Sequence, residues 1–268
     1  MSATPRTGAR TREDAIMSVR GLVNRFGSQL VHDDVSFDVM PGEVLGIAGG
    51  SGAGKSVLLK TLIGLRQPDA GEVLIGGKPV DVISSDEKAA LIGVLFQQGA
   101  LFSSLTVAQN IMLPIREHTE LAEPEQQKIA AMKLALTGLP APTGIKFPAE
   151  LSGGMVKRAA FARALALDPR ILFLDEPTSD LDPLAAGGID DLILQMNRGL
   201  GITVVVVTHD LTTLFTVCTR VAFLVDRKII VDTLDHLMKS EQPWIHEFLH
   251  GPRAQYAMNA RKHKHGNG

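Results

Sequence analysis

Little in this sequence could hold the chain together covalently. It carries one cysteine, Cys218, in 268 residues, so no internal disulfide can form and a disulfide-stapled scaffold is excluded; a reducing compartment is compatible with this. Charge of one sign is also missing. Lys plus Arg (27) and Asp plus Glu (29) nearly cancel to a formal −2, which leaves no basic footprint for a nucleic acid or an acidic membrane. Long apolar runs are absent too. Segments such as Val204 to Val207 are strand-sized, well short of the roughly 20 residues that cross a bilayer. Residues 1–17 are polar and lack the apolar stretch of a secretory signal. The expectation is a soluble, cytoplasmic protein that reaches any membrane through a partner.

What is present suffices for a full core: 45% of the residues are hydrophobic, and a chain of this length needs neither disulfides nor metals to bury them. Residues 1–16 read as a disordered arm without periodicity. From Val19 to Val39, short apolar segments alternate with turn residues (Asn24, Gly27, Asp33, Asp34), which predicts antiparallel strands. Later apolar runs at Val44–Ala48, Val94–Phe96, Ile171–Leu174, Val204–Val207 and Val221–Val225 are separated by helical patterns. Strands apolar on both faces predict a mainly parallel sheet covered on both sides. Between about residues 100 and 166 strand patterns vanish, and Ile129, Met132, Leu136 and Leu139 recur at helical spacing, which predicts an inserted helical lobe. Residues 251–268 form a C-terminal extension whose end is basic and rich in His.

Three motifs carry chemistry. Gly49-Gly50-Ser51-Gly52-Ala53-Gly54-Lys55-Ser56 fits the phosphate-binding P-loop, between a predicted strand and a predicted helix running from Lys55 to Leu65. Its glycines let backbone N–H groups curl around a triphosphate at a helix start. Lys55 would reach the β- and γ-phosphates, the Ser56 hydroxyl would ligate Mg²⁺, and Val57 completes the site. Ile171 to Leu174 then place Asp175 and Glu176 at the carboxyl end of a buried strand, where open α/β sheets bind ligands. Asp175 would hold Mg²⁺, and Glu176 would act on the attacking water. The plainer alternative is that these acids cap the next helix. Leu151-Ser152-Gly153-Gly154-Met155 is the third motif, a Ser hydroxyl and free N–H groups opening a helix from Met155 to Leu167, and so a second anion site. Two phosphate-binding helix starts with one base make sense if each ATP is clamped by both sites.

On these residues, about positions 17–250 resemble the nucleotide-binding domains of ABC transporters. The resemblance implies a P-loop (RecA-like) α/β core, an antiparallel β subdomain and an inserted α-helical subdomain. It implies ATP hydrolysis with Mg²⁺, in a dimer where Ser152, Gly153 and Gly154 of one protomer close on ATP held by the P-loop of the other. Phe26 occupies the place of the aromatic that stacks on adenine. Gln97 resembles the loop glutamine that senses Mg²⁺ and meets the membrane partner. Ser179-Asp180-Leu181-Asp182 resembles the loop crossing the dimer seam, and His209 the switch histidine at the γ-phosphate. Two residues depart from the pattern: Met155 stands for Gln, and Asp180 for a small residue. Neither removes a phosphate ligand; both bear on dimer closure.

A narrower resemblance rests on Phe96 to Phe102, Pro114 to Thr119 and the Met-bearing signature. These are similar to the ATPases of MCE-associated lipid transport systems in Gram-negative envelopes. That likeness implies phospholipid transport between inner and outer membranes. It also implies a transmembrane permease, an MCE-domain protein and a STAS-domain subunit as partners, with the chain peripheral on the cytoplasmic face. Alternatives are an importer ATPase for another solute, such as an amino acid or a metal complex, or a soluble ABC ATPase without transport. The bland reading of Arg116 to Thr119 is a solvated turn. For Trp244, Phe248 and Leu249 two readings stand: an extension reaching the opposite protomer, or a helix docked on its own domain.

Overall fold

A computed structural model describes residues 14–258 apart from Gln98 and Arg253. Most of the expected arm and all of the basic, His-rich end lie outside these residues. The first two strands, β1 (Met17–Phe26) and β2 (Gln29–Val39), form an antiparallel hairpin. Gly27 takes φ +57° in the turn, a conformation glycine adopts without steric cost. With β4 (Ala70–Ile75) and β5 (Lys78–Pro79) the hairpin makes a four-stranded sheet ordered β2-β1-β4-β5.

The second sheet has β3 (Val44–Gly49) near its middle, in the order β10-β9-β3-β8-β7-β6. Its other members are β6 (Ile92–Leu95), β7 (Ile171–Asp175), β8 (Thr203–Val207), β9 (Arg220–Val225) and β10 (Lys228–Asp232). All neighbours pair in parallel except the β9–β10 hairpin. Side chains alternate across the sheet, and both faces are apolar. Phe173, Val205 and Val207 join Leu58, Leu59 and Leu62 of α1 (Lys55–Leu62) and the antiparallel sheet. Leu172, Leu174, Val204 and Val206 pack instead on Phe161 of α5 (Gly153–Ala164) and on Ile189, Ile193 and Met196 of α6 (Pro183–Leu200). That two-sided burial is why these strands read as continuous apolar runs.

Between β6 and β7 the described residues hold no strand. After α2 (Ser85–Leu91), which precedes β6, come α3 (Val107–His118), α4 (Glu123–Leu136) and α5, around a core that includes Val107, Ile111, Ile115, Ala130, Leu134 and Ala159. Two expectations need correction here. Met132 is 56% exposed, and the buried face of α4 is Gln126, Ala130, Lys133 and Leu134. The apolar period misread it because two polar residues are satisfied internally: Gln126 donates to the Leu121 carbonyl at 2.7 Å, and Lys133 pairs with Asp168. Arg116, Glu117 and His118 form the last turn of α3 rather than a loop. The helices are also shorter than expected: α1 stops at Leu62, and α5 spans Gly153–Ala164.

After α7 (Leu211–Val217) and α8 (Leu234–Leu237), the chain reaches α9 (Pro243–His250), which docks on its own domain. Trp244 and Phe248 stack at 4.9 Å, and Phe223 meets them edge-on at 5.8 and 5.6 Å. Ile245 and Leu249 are buried beneath.

Candidate functional site

The P-loop leaves β3 at its carboxyl end. Gly49 is still paired in the sheet, where a Cβ would fall 2.7 Å from the Leu224 carbonyl oxygen. Ala53 N donates to the Gly50 carbonyl at 3.2 Å and closes the turn. Gly52 and Gly54 take φ +77° and +93°. At Gly54 a Cβ would lie 2.5 Å from Val31 Cγ1 and 2.7 Å from His32 Nε2, so only glycine fits. Lys55 and Ser56 then open α1, with Ser56 exposed and Val57 half-buried. Lys55 Nζ reaches back across the loop to donate to the Gly49 and Gly50 carbonyls at 2.8 and 3.0 Å. Burial lowers its pKa, while Glu176 and Asp175 oppose that shift.

Those acids terminate β7 as expected. Burial raises the Asp175 carboxyl, with Glu176 adding and Lys157, Lys60 and Lys55 opposing. Glu176 has φ +46°, which costs a non-glycine residue roughly 1–2 kcal/mol. Its neighbours hold it there. Its N–H donates to the Val207 carbonyl at 2.8 Å, and its own carbonyl accepts from Ser179 N, Ser179 Oγ and Lys157 Nζ at 3.2, 2.9 and 3.0 Å. Its carboxylate is fixed at both oxygens: His209 Nδ1 lies 2.8 Å from Oε1, and Thr208 Oγ1 donates to Oε2 at 3.2 Å.

A cavity of about 610 Å³ opens beside these groups, lined by Glu176, Ser179, Asp180, His209, Pro252 and Tyr256 among others. A second, of about 520 Å³, joins Gly49, Gly50, Ser51 and His209 to Trp244 and Phe248. The structure thus brings the P-loop, Glu176 and His209 together. Ser152, Gly153 and Gly154 line neither cavity. Ser152 Oγ caps α5 by accepting from Met155 N at 3.3 Å, and Ser152 and Gly153 are exposed. The cap uses the backbone of Met155, whose side chain packs on the lobe core, so methionine at this position leaves the cap intact. Asp180 has φ +62°, a conformation that aspartate tolerates better than most side chains.

Phe26 is 51% exposed at the hairpin end, with the Arg66 guanidinium 4.2 Å over its ring. It is tied to the P-loop from below. Arg66 Nε donates to Asn24 Oδ1 at 3.3 Å, Asn24 Nδ2 meets His32 Nδ1 at 3.0 Å, and His32 Nε2 faces Gly54. Burial pushes the His32 imidazole down to about 4; the Gly54 backbone opposes and the Arg66 charge adds. Gln97, just after β6, is exposed. Sequence reasoning missed Lys157, Thr208, His32 and the Trp244 contact. Lys157 left one legible trace: it shares a helical stripe with Ala160, Phe161 and Ala164, where a cation is out of place.

Comparison with known proteins matches this geometry. Residues 32–179 match the ABC transporter family. The chain is 42% identical over 241 residues to the "Probable ribonucleotide transport ATP-binding protein mkl" of Mycobacterium leprae, covering 88% of this chain and 69% of that one. It is 37% identical over 240 residues to the "Intermembrane phospholipid transport system ATP-binding protein MlaF" of Haemophilus influenzae, covering 88% and 90%. Among solved structures, the dimeric post-hydrolysis ATP-binding cassette MJ0796 bound to ADP and Pi superposes with a TM-score of 0.74 at 31% identity over 81% of this chain and 98% of that chain. The cbiO1 protein of Clostridium perfringens, part of the ABC transporter complex cbiONQ, gives 0.76 at 30% identity over 92% and 99%.

Proposed function

Since this chain belongs to the ABC transporter family, as an ATP-binding and ATP-hydrolysing subunit, we propose that it powers phospholipid transport between inner and outer membranes. It does so as one half of an ATP-clamping dimer, peripheral on the cytoplasmic face of the inner membrane. The observation that carries the lipid reading is the likeness to MlaF over 90% of that protein's length. A groove of about 350 Å³ supports it. Phe96 and Phe102 line it from one segment, Pro114, Glu117 and His118 from the next helix, so the two stretches offer one surface to a permease.

In this reading Lys55 exchanges the Gly49 and Gly50 carbonyls for β- and γ-phosphate oxygens, and the loop N–H groups from Gly49 to Lys55 bind the rest. Phe26 stacks on adenine. Glu176 accepts the proton of the attacking water, its carboxylate aimed by His209 and Thr208; such a positioned base contributes about 10²–10⁴-fold in rate. The hydroxyl of Ser56, the amide of Gln97 and the carboxylate of Asp175 are hard oxygen donors that suit Mg²⁺. Asp175, pushed up by burial and by Glu176, is where a cation would relieve the strain. The metal would neutralise phosphate charge. Ser152, Gly153 and Gly154 complete the site from the second protomer, and the seam loop Ser179 to Asp182 lies between.

A second reading, transport of another solute, is favoured by the higher identity to the mkl protein, whose printed name refers to ribonucleotides. Recovery of tagged Glu176→Gln protein from detergent-solubilised membranes with ATP, followed by mass spectrometry, decides between them. The lipid reading expects an MCE-domain protein, a STAS-domain subunit, a polytopic permease and bound phospholipid. A permease with a solute-binding protein and no MCE protein would discard the lipid.

A further inference from the structure

Lys157 lies one and a half turns into α5, the helix that the signature opens, and its side chain runs inward rather than to solvent; the residue is 5% exposed. Its Nζ donates to three partners in two different loops. One is the Gln97 carbonyl, at the loop that follows β6. Another is the Glu176 carbonyl at 3.0 Å, and the third is Ser179 Oγ at 3.3 Å, in the seam loop. An ammonium has three N–H donors, and all are used. Ser179 Oγ in turn donates to the same Glu176 carbonyl at 2.9 Å, so the three groups form a closed triangle around the backbone of Glu176.

That placement has two physical consequences. Glu176 sits in the left-handed region, a conformation that persists only where its surroundings over-determine it. Lys157 supplies one of the hydrogen bonds that do so. In addition, Asp175, Glu176 and Asp180 all act electrostatically on Lys157, so this buried cation offsets a cluster of acids. A buried charge with one partner removed is strongly destabilising, which makes the two loops and the ammonium a single unit.

We propose that Lys157 is a positioning residue for hydrolysis, locking the Glu176 backbone while tying it to the Gln97 loop and the signature helix. It touches neither substrate nor the reacting water; it acts through Glu176. The proposal rests on Glu176 being the base, so the test carries Glu176→Gln as a control. The sole tryptophan, Trp244, lies 3.8 Å from where a Cβ on Gly50 would stand, which makes its fluorescence the chosen readout for nucleotide binding.

The experiment measures ATP affinity by tryptophan fluorescence, and kcat and KM for Mg·ATP, in the full-length chain and in Lys157→Met, Lys157→Gln and Glu176→Gln. Lys157→Met is expected to bind ATP within threefold of the parent and to keep KM within threefold, with kcat down about tenfold or more, within the range one positioned base supplies. Lys157→Gln, which keeps two N–H donors, is expected to lose three- to tenfold in kcat. Should Lys157→Met fail to fold, Lys157→Gln carries the test alone. A kcat within twofold of the parent in the folded variants, with Glu176→Gln inactive, would overturn the positioning role. If Glu176→Gln itself turned over normally, the base assignment would fall instead.

Discussion

Glu176 holds a backbone conformation that its own side chain disfavours, and its neighbours are arranged to keep it there. Its carbonyl accepts from Ser179 and Lys157, and both carboxylate oxygens are engaged. This is the pattern expected where strain is retained for chemistry rather than for stability. A second residue, His32, has a consequence that solution measurement can reach. Its imidazole titrates at about 4 in the folded chain against an ordinary 6.5. Between those values the unfolded chain binds a proton that the folded chain refuses, so stability from this group is complete above pH 6.5 and falls as pH drops towards 4. Lowering pH from 7.5 to 5.0 is therefore expected to remove about 2 kcal/mol through His32, read from urea midpoints. His32→Gln should flatten that slope by a similar amount; an unchanged slope would mean that the group does not titrate as described.

At the level of elements, the site is set by where strands and helices end. β3 and β7 deliver the P-loop and the two acids to one edge of the parallel sheet, and α5 presents the signature at its start. Strands buried on both faces were plain in the sequence because apolar runs need no partner to be recognised. The P-loop was equally legible, since backbone-cradled phosphate demands glycine at fixed spacing. The face of α4 was not: Lys133 and Gln126 satisfy their polar groups through partners distant or beyond the helix, and periodicity counts only apolar side chains. Lys157, His32 and Thr208 escaped for the same reason, as their roles exist only through contacts with other elements. Packing between β6 and α5 gives a test at this level. A Cβ at Gly93 would fall 2.2 Å from the Ala164 carbonyl oxygen and 2.9 Å from Pro169 Cγ. Gly93→Ala is expected to cost about 1–3 kcal/mol by overpacking, seen as a lower urea midpoint with an unchanged slope. A midpoint equal to that of the parent would show that β6 and α5 can part without cost.

Across the whole molecule, the parts of the site do not all meet within one chain. His209 lines both the cavity at the P-loop and the one at Glu176, while Ser152 and Gly153 stand exposed elsewhere. In the proposed dimer, the exposed helix start at Ser152 binds an anion that the second copy brings. The dimeric MJ0796 cassette, similar over 98% of its length, is consistent with that arrangement. The docked α9 and Tyr256, which lines the cavity beside Glu176, add a wall from the same chain.

The central claim is that ATP joins two copies through the P-loop of one and the signature of the other. Sedimentation velocity on full-length Glu176→Gln, with and without Mg·ATP, tests it most directly, alongside the same protein carrying Ser152→Arg. The account predicts a monomer without nucleotide, a dimer with Mg·ATP, and a monomer in both conditions once Ser152 is replaced, with ATP still bound. A Ser152→Arg protein that dimerises as readily as its parent would contradict it.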